Sequence, residues 1–256
     1  RTSTRADGTP ALIDDGTGDP FYSPRDDRAK RAAIARAERW CDRVFCLNPD
    51  LCALTSRGEF LPYTAVDPAV IRPNTGERRP GPIRIAHAPT KRRIKGTRAV
   101  LDAVARLGDR AEMILVEHQP HEQALRRYRD ADLVVDQIRI GWYGGLAVEC
   151  MAMGIPVVAF IRGDDLRHVP AGLARELPIV RADASSLADV LDELVDDPDR
   201  LDRLARASRL FVERWHDPIP IAARLLEIVR DPSIPLWDAS GDPLPRPTGL
   251  DPSEVR

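Results

Sequence analysis

Several features that mark simple functional classes are missing from this sequence. No apolar run reaches the roughly 18 residues that a membrane-crossing helix needs, so no transmembrane segment is expected. The opening RTSTRADGTP has no apolar core and therefore does not read as a secretion signal, and it has no initiator Met, so the chain is expected to be the later part of a longer one. Only four cysteines occur, Cys41, Cys46, Cys52 and Cys150. They show neither the C-x2-C spacing of a zinc ribbon nor the density of a disulfide scaffold. Reduced thiols are expected, in a protein of the cytoplasm that can sit peripherally at the inner membrane surface. Neither charge is in excess: 38 Lys and Arg against 40 Asp and Glu leave a net charge of -2. The strongly basic balance of a nucleic-acid-binding domain is therefore absent, and any anion site must be local. The five histidines, His87, His118, His121, His168 and His216, fall at no metal-ligand spacing. No G-x-G-x-x-G and no P-loop occurs, which argues against dinucleotide oxidoreductases and NTPases.

What remains is a chain of 256 residues, 43% apolar and 30% charged, an ordinary globular composition. Residues 1–25 carry no periodicity and read as loop. An amphipathic helix is predicted over Asp27–Cys41, from Ala29, Ala33, Ala37 and Trp40 at helical spacing. RVFCLNP and EFLPY read as short strands, and the proline-dense stretch up to Pro82 as a linker. From Ile83 a cleaner alternation begins. IRIAH, MILVE, DLVVD, PVVAFI and LPIV are predicted strands, and helices are predicted over Thr97–Leu107, His121–Ala131, Leu146–Met153, Ser185–Val195, Asp199–Trp215 and Ile219–Val229. Strand–helix alternation with near-continuous apolar strands implies right-handed crossovers and a parallel sheet covered on both faces.

Ligands of such sheets bind beyond the carboxyl ends of the strands, where loops lead into helix N-termini. GWYGGLAVECMAMGIPVVA, residues 141–159, sits at one of these ends. Gly144 and Gly145 permit close backbone approach, and the free N–H groups of the helix opening near Leu146 suit a phosphate. Glu149, one turn on, would be repelled by phosphate but suits a neighbouring diol such as a ribose. On spacing alone a second reading stands level with this one: a tight turn, a helix acid near the dipole, and Trp142 with Tyr143 in the core. HAPTKRRIKGT adds Lys91, Arg92, Arg93 and Lys95 at the same sheet edge, where fixed positive charge can stabilise a departing phosphate without a metal. The same four charges also read as a solvated basic loop. The D-x-D pattern at Asp130 and Asp132 spans a helix end and a strand start, and is read as structural.

IKGT…AVLDAV, YRDADLVVDQ and GGLAVECMAMGIPVVA together resemble the donor-binding half of GT-B glycosyltransferases, in particular the retaining family 4 type of bacterial enzymes. The resemblance covers about residues 83–229 and, more weakly, 30–68. It implies an α/β fold, a Rossmann-like parallel sheet with helices on both faces, joined to a partial second α/β domain. The implied organisation is 1–70 as the end of an acceptor domain, 71–82 as linker, 83–215 as the nucleotide-sugar domain, 216–230 as a crossover helix and 231–256 as a tail.

The resemblance further implies that Lys95, aided by Arg92 or Arg93, contacts the donor diphosphate. It sets Gly144, Gly145 and Leu146 against phosphate and sugar, Glu149 on the ribose, and Glu117 and His118 at the edge of the base pocket. Three departures stand out. Eight places before Glu149 the family's sugar-contacting acid is replaced by Gly141, with Asp136 the available substitute; Pro89 stands where an Arg is usual; and the sheet is one strand–helix unit short.

The implied activity is transfer of a sugar from a nucleotide-diphosphate sugar to a hydroxyl acceptor such as a glycan or lipid-linked glycan, retaining and metal-independent, with no separate cofactor and no nucleic-acid partner. Two alternatives are a nucleotide-sugar-binding module without transfer and a nucleotide-sugar epimerase. The C-terminal helix is expected to present Ile221, Leu225, Ile228 and Val229 to the preceding domain. As written, the chain is expected to bind nucleotide but transfer sugar poorly, because donor–acceptor proximity supplies much of the rate.

Overall fold

Two parallel sheets of unequal size organise the chain in the computed structural model, which describes residues 3–13, 24–64, 66–74 and 78–247. Helix α1 (Pro24–Trp40) leads to strands β1 (Val44–Cys46) and β2 (Gly58–Phe60), joined through α2 (Pro49–Cys52). These two strands pair in parallel. The second sheet takes β3 (Ile83–His87), β4 (Ala111–Leu115), β5 (Leu133–Val135), β6 (Val157–Ala159) and β7 (Val180–Arg181). Its order is β4-β3-β5-β6-β7, with every pairing parallel. Between and after the strands run α3 (Arg92–Lys95), α4 (Thr97–Arg106), α5 (His121–Tyr128), α6 (Gly145–Ala152), α7 (Ala171–Glu176), α8 (Leu187–Val195), α9 (Pro198–Trp215) and α10 (Pro218–Arg230).

The strands are apolar on successive residues because both faces are covered. Alternate side chains point to opposite faces, and the core divides accordingly. Ile85, Leu133, Val135 and Val158 pack with α4 and α8, whereas Ala86, Val134, Val157 and Ala159 pack with α5, α6 and α9. Helix α9 starts where Asp197 accepts the Arg200 N–H at 2.8 Å, and α10 where Asp217 accepts the Ile219 N–H at 3.0 Å. Each is followed by proline at the first helical position, where its missing donor costs nothing.

The predicted strands and long helices fall where the sequence put them, with ends displaced by a few residues. The helix read to end at Ala131 stops at Tyr128, and the basic stretch read as loop contains the helical turn α3. Short α2 and α7 were not foreseen, since four to six residues carry too little periodicity. The loop reading of 1–25 falls partly outside the described residues. Within 3–13 the chain is fastened: Leu12 bridges Ile140, and Arg5 ion-pairs with buried Asp165.

The predicted linker and tail are also anchored where they are described. Arg209 donates to the Pro68 and Ile71 carbonyls at 2.6 Å each, and the Asn74 N–H to Met153 O at 2.8 Å. After α10 the chain crosses back to the smaller sheet. Arg43 donates to the Ile234 carbonyl at 2.6 Å, and Trp237 Nε1 to Phe60 O at 2.8 Å. One apolar cluster runs from Cys46, Cys52 and Phe60 through Trp142 and Tyr143 to Phe211 and Trp215. The expected face of α10 needs one correction: Ile221 and Ile228 are buried, but Val229 is 79% exposed, because it falls about 100° around the helix from Ile228, beyond the edge of the buried stripe.

Candidate functional site

The strand order makes β3 the first strand of its sheet, flanked by β4 on one side and β5 on the other. Connections therefore leave the carboxyl ends of β3 and β5 in opposite directions, opening the crevice in which doubly wound sheets take ligands. From β3 the chain runs through Lys91 into α3 and ends it at Gly96, whose φ of 76° is left-handed. A Cβ there would stand 2.5 Å from Ile138 Cγ1, so only glycine closes this turn against the β5 loop. The closure brings Lys95 back over the sheet end, where its Nζ ion-pairs with Asp136 Oδ1. Asp136, fully buried just past β5, accepts the Gly144 N–H on Oδ2 at 2.7 Å. Residues separated by up to 49 positions thus form one cluster at the entrance to α6.

Helix α6 begins directly behind it. The N–H groups of Gly145 and Leu146 have no acceptor among the described residues. No atom lies within 4 Å of where a Gly145 Cβ would stand, so space remains in front of them. Such amides, with the positive end of the helix dipole, attract anions. One turn on, Glu149 holds His121 Nε2 at 2.7 Å, the carboxylate side chain 15% exposed and the imidazole 67%. His121 was not singled out from the sequence. Its spacing from Glu149 follows no helical rule, since the two residues lie on different helices, α5 and α6, 28 positions apart.

The remaining candidates lie around this cluster. Arg92 ion-pairs with Glu117, which draws the Glu117 carboxyl below its ordinary range. His118 is exposed with a left-handed φ of 53°, a conformation histidine adopts more readily than most residues. The Arg93 carbonyl accepts Arg139 Nη1 at 2.8 Å, and buried Arg139 also donates from Nε to Ile13 O at 2.8 Å. Arg92, Arg93 and Arg139 line a hollow of about 470 Å³ beside α4, apart from Lys95. Arg139 was missed because its partners lie 46 and 126 residues away.

His87, at the end of β3, lies under the site. Its Nδ1 donates to Val135 O at 2.8 Å, Nε2 lies 2.9 Å from Thr97 Oγ1, and burial lowers its pKa, so it stays neutral. Cys150, next to Glu149, is fully buried, and burial holds its pKa well above the ordinary thiol value. It is thus no ready nucleophile.

The two readings of the GWYGG turn are both partly realised. Trp142 and Tyr143 are core residues, 1% and 0% exposed. Trp142 meets Phe60 edge-on at 5.5 Å between ring centres, and Tyr143 O–H bonds His216 Nε2 at 3.0 Å. Gly144 and Gly145 reach the crevice. Gly141 is closed to any side chain, since a Cβ would stand 2.7 Å from Arg162 Cβ; the carboxylate present at the site is Asp136. Asp130 and Asp132 pair with Arg79 and Arg84 at the opposite, amino edge of the sheet, in keeping with the structural reading of D-x-D. Among the described residues no three His, Cys, Asp or Glu side chains gather as a metal site would need.

No protein-family model matches the chain. A D-inositol 3-phosphate glycosyltransferase of Catenulispora acidiphila is 40% identical over 85 residues, which is 33% of this chain and 20% of that protein. HepE of Anabaena, solved in complex with UDP and glucose, superposes with a TM-score of 0.64 at 16% identity, over 82% of this chain and 69% of its own. Sucrose-phosphate synthase of Thermosynechococcus elongatus superposes with a TM-score of 0.58 at 17% identity, over 85% and 64%. These likenesses show the fold: an α/β, Rossmann-like architecture of the GT-B glycosyltransferase type.

Proposed function

We propose that this chain carries the donor site of a glycosyltransferase that moves a sugar from a nucleotide-diphosphate sugar to a hydroxyl acceptor. The observation that carries the reading is the joining of Lys95, Asp136, Gly144 and the open amides of Gly145 and Leu146 at the switch point of the sheet. The UDP bound to the structurally similar HepE supports a nucleotide diphosphate as the ligand class.

In this reading the diphosphate lies against the amides of Gly145 and Leu146, with Lys95 on its other side. Negative charge grows on the leaving diphosphate as the glycosidic bond breaks, and preorganised cations and amides act on it most strongly in a site shielded from water. Asp136 aims Lys95 at the crevice. The donor must then compete with that carboxylate for Lys95, which favours a doubly charged phosphate group over a singly charged one. Glu149 exchanges the exposed His121 for the ribose diol. Arg92 or Arg93 can reach the diphosphate only by leaving its present partners, so Lys95 carries the larger share. Because a lysine supplies the charge, we assign the reaction no divalent metal. We also assign it retention of configuration, in keeping with the family 4 type.

Titration calorimetry with UDP, GDP and ADP tests the ligand class, and product analysis with the matching nucleotide sugars tests the reaction. Transfer to an acceptor is expected. Tight binding with no transfer from any donor would make the chain a binding module, and interconversion of free nucleotide sugars would make it an epimerase.

A further inference from the structure

A cavity of about 740 Å³ lies not at the Lys95 crevice but at the opposite edge of the sheet, where β3, β5 and β6 begin and α9 passes beneath them. The rule that places ligands of parallel sheets at the carboxyl edge gives no account of it. Its volume falls within the range of small-molecule sites. Five arginines line it: Arg78, Arg79, Arg84, Arg129 and Arg206. Two carboxylates, Asp132 and Asp202, share the lining, and Asp130 stands close enough to pair with Arg79 at 3.4 Å.

The charges do not cancel. Arg84 is spent on Asp132, which it grips through Nε and Nη2 at 2.9 and 2.8 Å. Arg78 is paired with Asp202 at 2.8 Å. Arg129 has no carboxylate partner among the described residues: its Nη1 donates to the Arg72 carbonyl at 3.0 Å and to Asn74 Oδ1 at 3.2 Å. Arg206 has no hydrogen-bond or ion-pair partner among the described residues. Two guanidiniums with unused donors thus face one hollow, beside three others already paired with carboxylates. Guanidinium forks match phosphate oxygens in a bidentate manner.

We propose that this amino-edge cavity is a second binding site, for a small phosphorylated ligand, held by Arg129 and Arg206. It is separate from the Lys95 crevice, on the far side of the parallel sheet, and it stands whether or not the donor reading does.

Inorganic pyrophosphate is the probe, followed in the full chain by calorimetry and by amide chemical shifts. Expected are shifts at Gly154 and Ala205, which line the cavity, and a loss of affinity of roughly tenfold or more in Arg129→Gln/Arg206→Gln at unchanged melting temperature. If the double variant is destabilised through the Arg129 bonds, Arg206→Gln alone, on an exposed side chain without a partner, is expected to weaken binding about threefold or more. Shifts confined to Gly145 and Leu146 would place pyrophosphate at the other edge and overturn the proposal. So would affinity unchanged by both variants, or no binding at about ten millimolar.

Discussion

At the scale of single residues, the crevice depends on a few side chains with one or two partners each. Glu149 is the sharpest case, because it is mostly shielded yet its partner His121 is mostly exposed. Glu149→Gln keeps the shape and removes charge-assisted hydrogen bonds worth roughly 1.5–3 kcal/mol each. Affinity for the preferred nucleotide diphosphate is expected to fall at least about tenfold. The melting temperature is expected to hold nearly still, since a pair with one exposed partner contributes little to stability. Unchanged affinity in calorimetry would return Glu149 to a purely structural role. Residue types made Lys95, Glu149 and the two glycines visible as candidates. Nothing in them announced that Asp136 would engage both Lys95 and Gly144, because that contact needs the ends of two strands to lie side by side.

At the scale of elements, the turn that ends α3 and begins α4 decides where Lys95 points. Gly96 combines a left-handed φ with a Cβ position 2.5 Å from Ile138, a side chain that is itself fully buried. Gly96→Ala adds the conformational penalty of about 1–2 kcal/mol to an overpacking cost of typically 1–3 kcal/mol. A combined loss of roughly 3 kcal/mol is expected in denaturant unfolding, together with weakened nucleotide binding as Lys95 is displaced. Gly108→Ala is the control. Its φ is +57° but nothing lies within 4 Å of the added Cβ, so it should lose only the conformational part, about 1 kcal/mol. Equal losses in the two variants would show that Ile138 gives way and that the tight fit does not govern the turn. A glycine after a basic run was legible as a helix start; its role as a spacer against Ile138 was not, since 42 residues separate them.

At the scale of the whole molecule, His216 joins parts distant in sequence. Its Nδ1 donates to Tyr63 O at 2.7 Å, near the smaller sheet, while Nε2 accepts from Tyr143 O–H in the turn before α6. Burial pushes its pKa from the ordinary 6.5 down to about 4. The unfolded chain therefore binds a proton between those values that the folded one refuses, so stability falls as pH drops from 6.5 toward 4. At about 1.4 kcal/mol per pH unit the full effect is about 3 kcal/mol, present above pH 6.5 and lost by pH 4. His216→Gln, which can still bond both partners, is expected to be less stable at neutral pH but to show a flatter decline over this window in thermal unfolding. A decline as steep as in the unchanged chain would assign it to the carboxylates instead.

The sequence by itself determined the class and order of the main elements. Apolar runs of strand length alternating with amphipathic helices leave a covered parallel sheet as the main way to bury them, and each signal is local enough to be read within a dozen residues. It also marked the sheet edge at which glycines, basic residues and an acid converge. Tertiary structure alone decided the pairings. Asp136 with Lys95, Glu149 with His121 and Arg139 with the chain near Ile13 join residues 41, 28 and 126 positions apart. It also decided that Trp142 and Tyr143 belong to the core, and that five arginines scattered from 78 to 206 line one cavity. Such contacts depend on strand order and on the angle at which helices cross the sheet. These are set by packing the whole chain at once, so no stretch of sequence carries them.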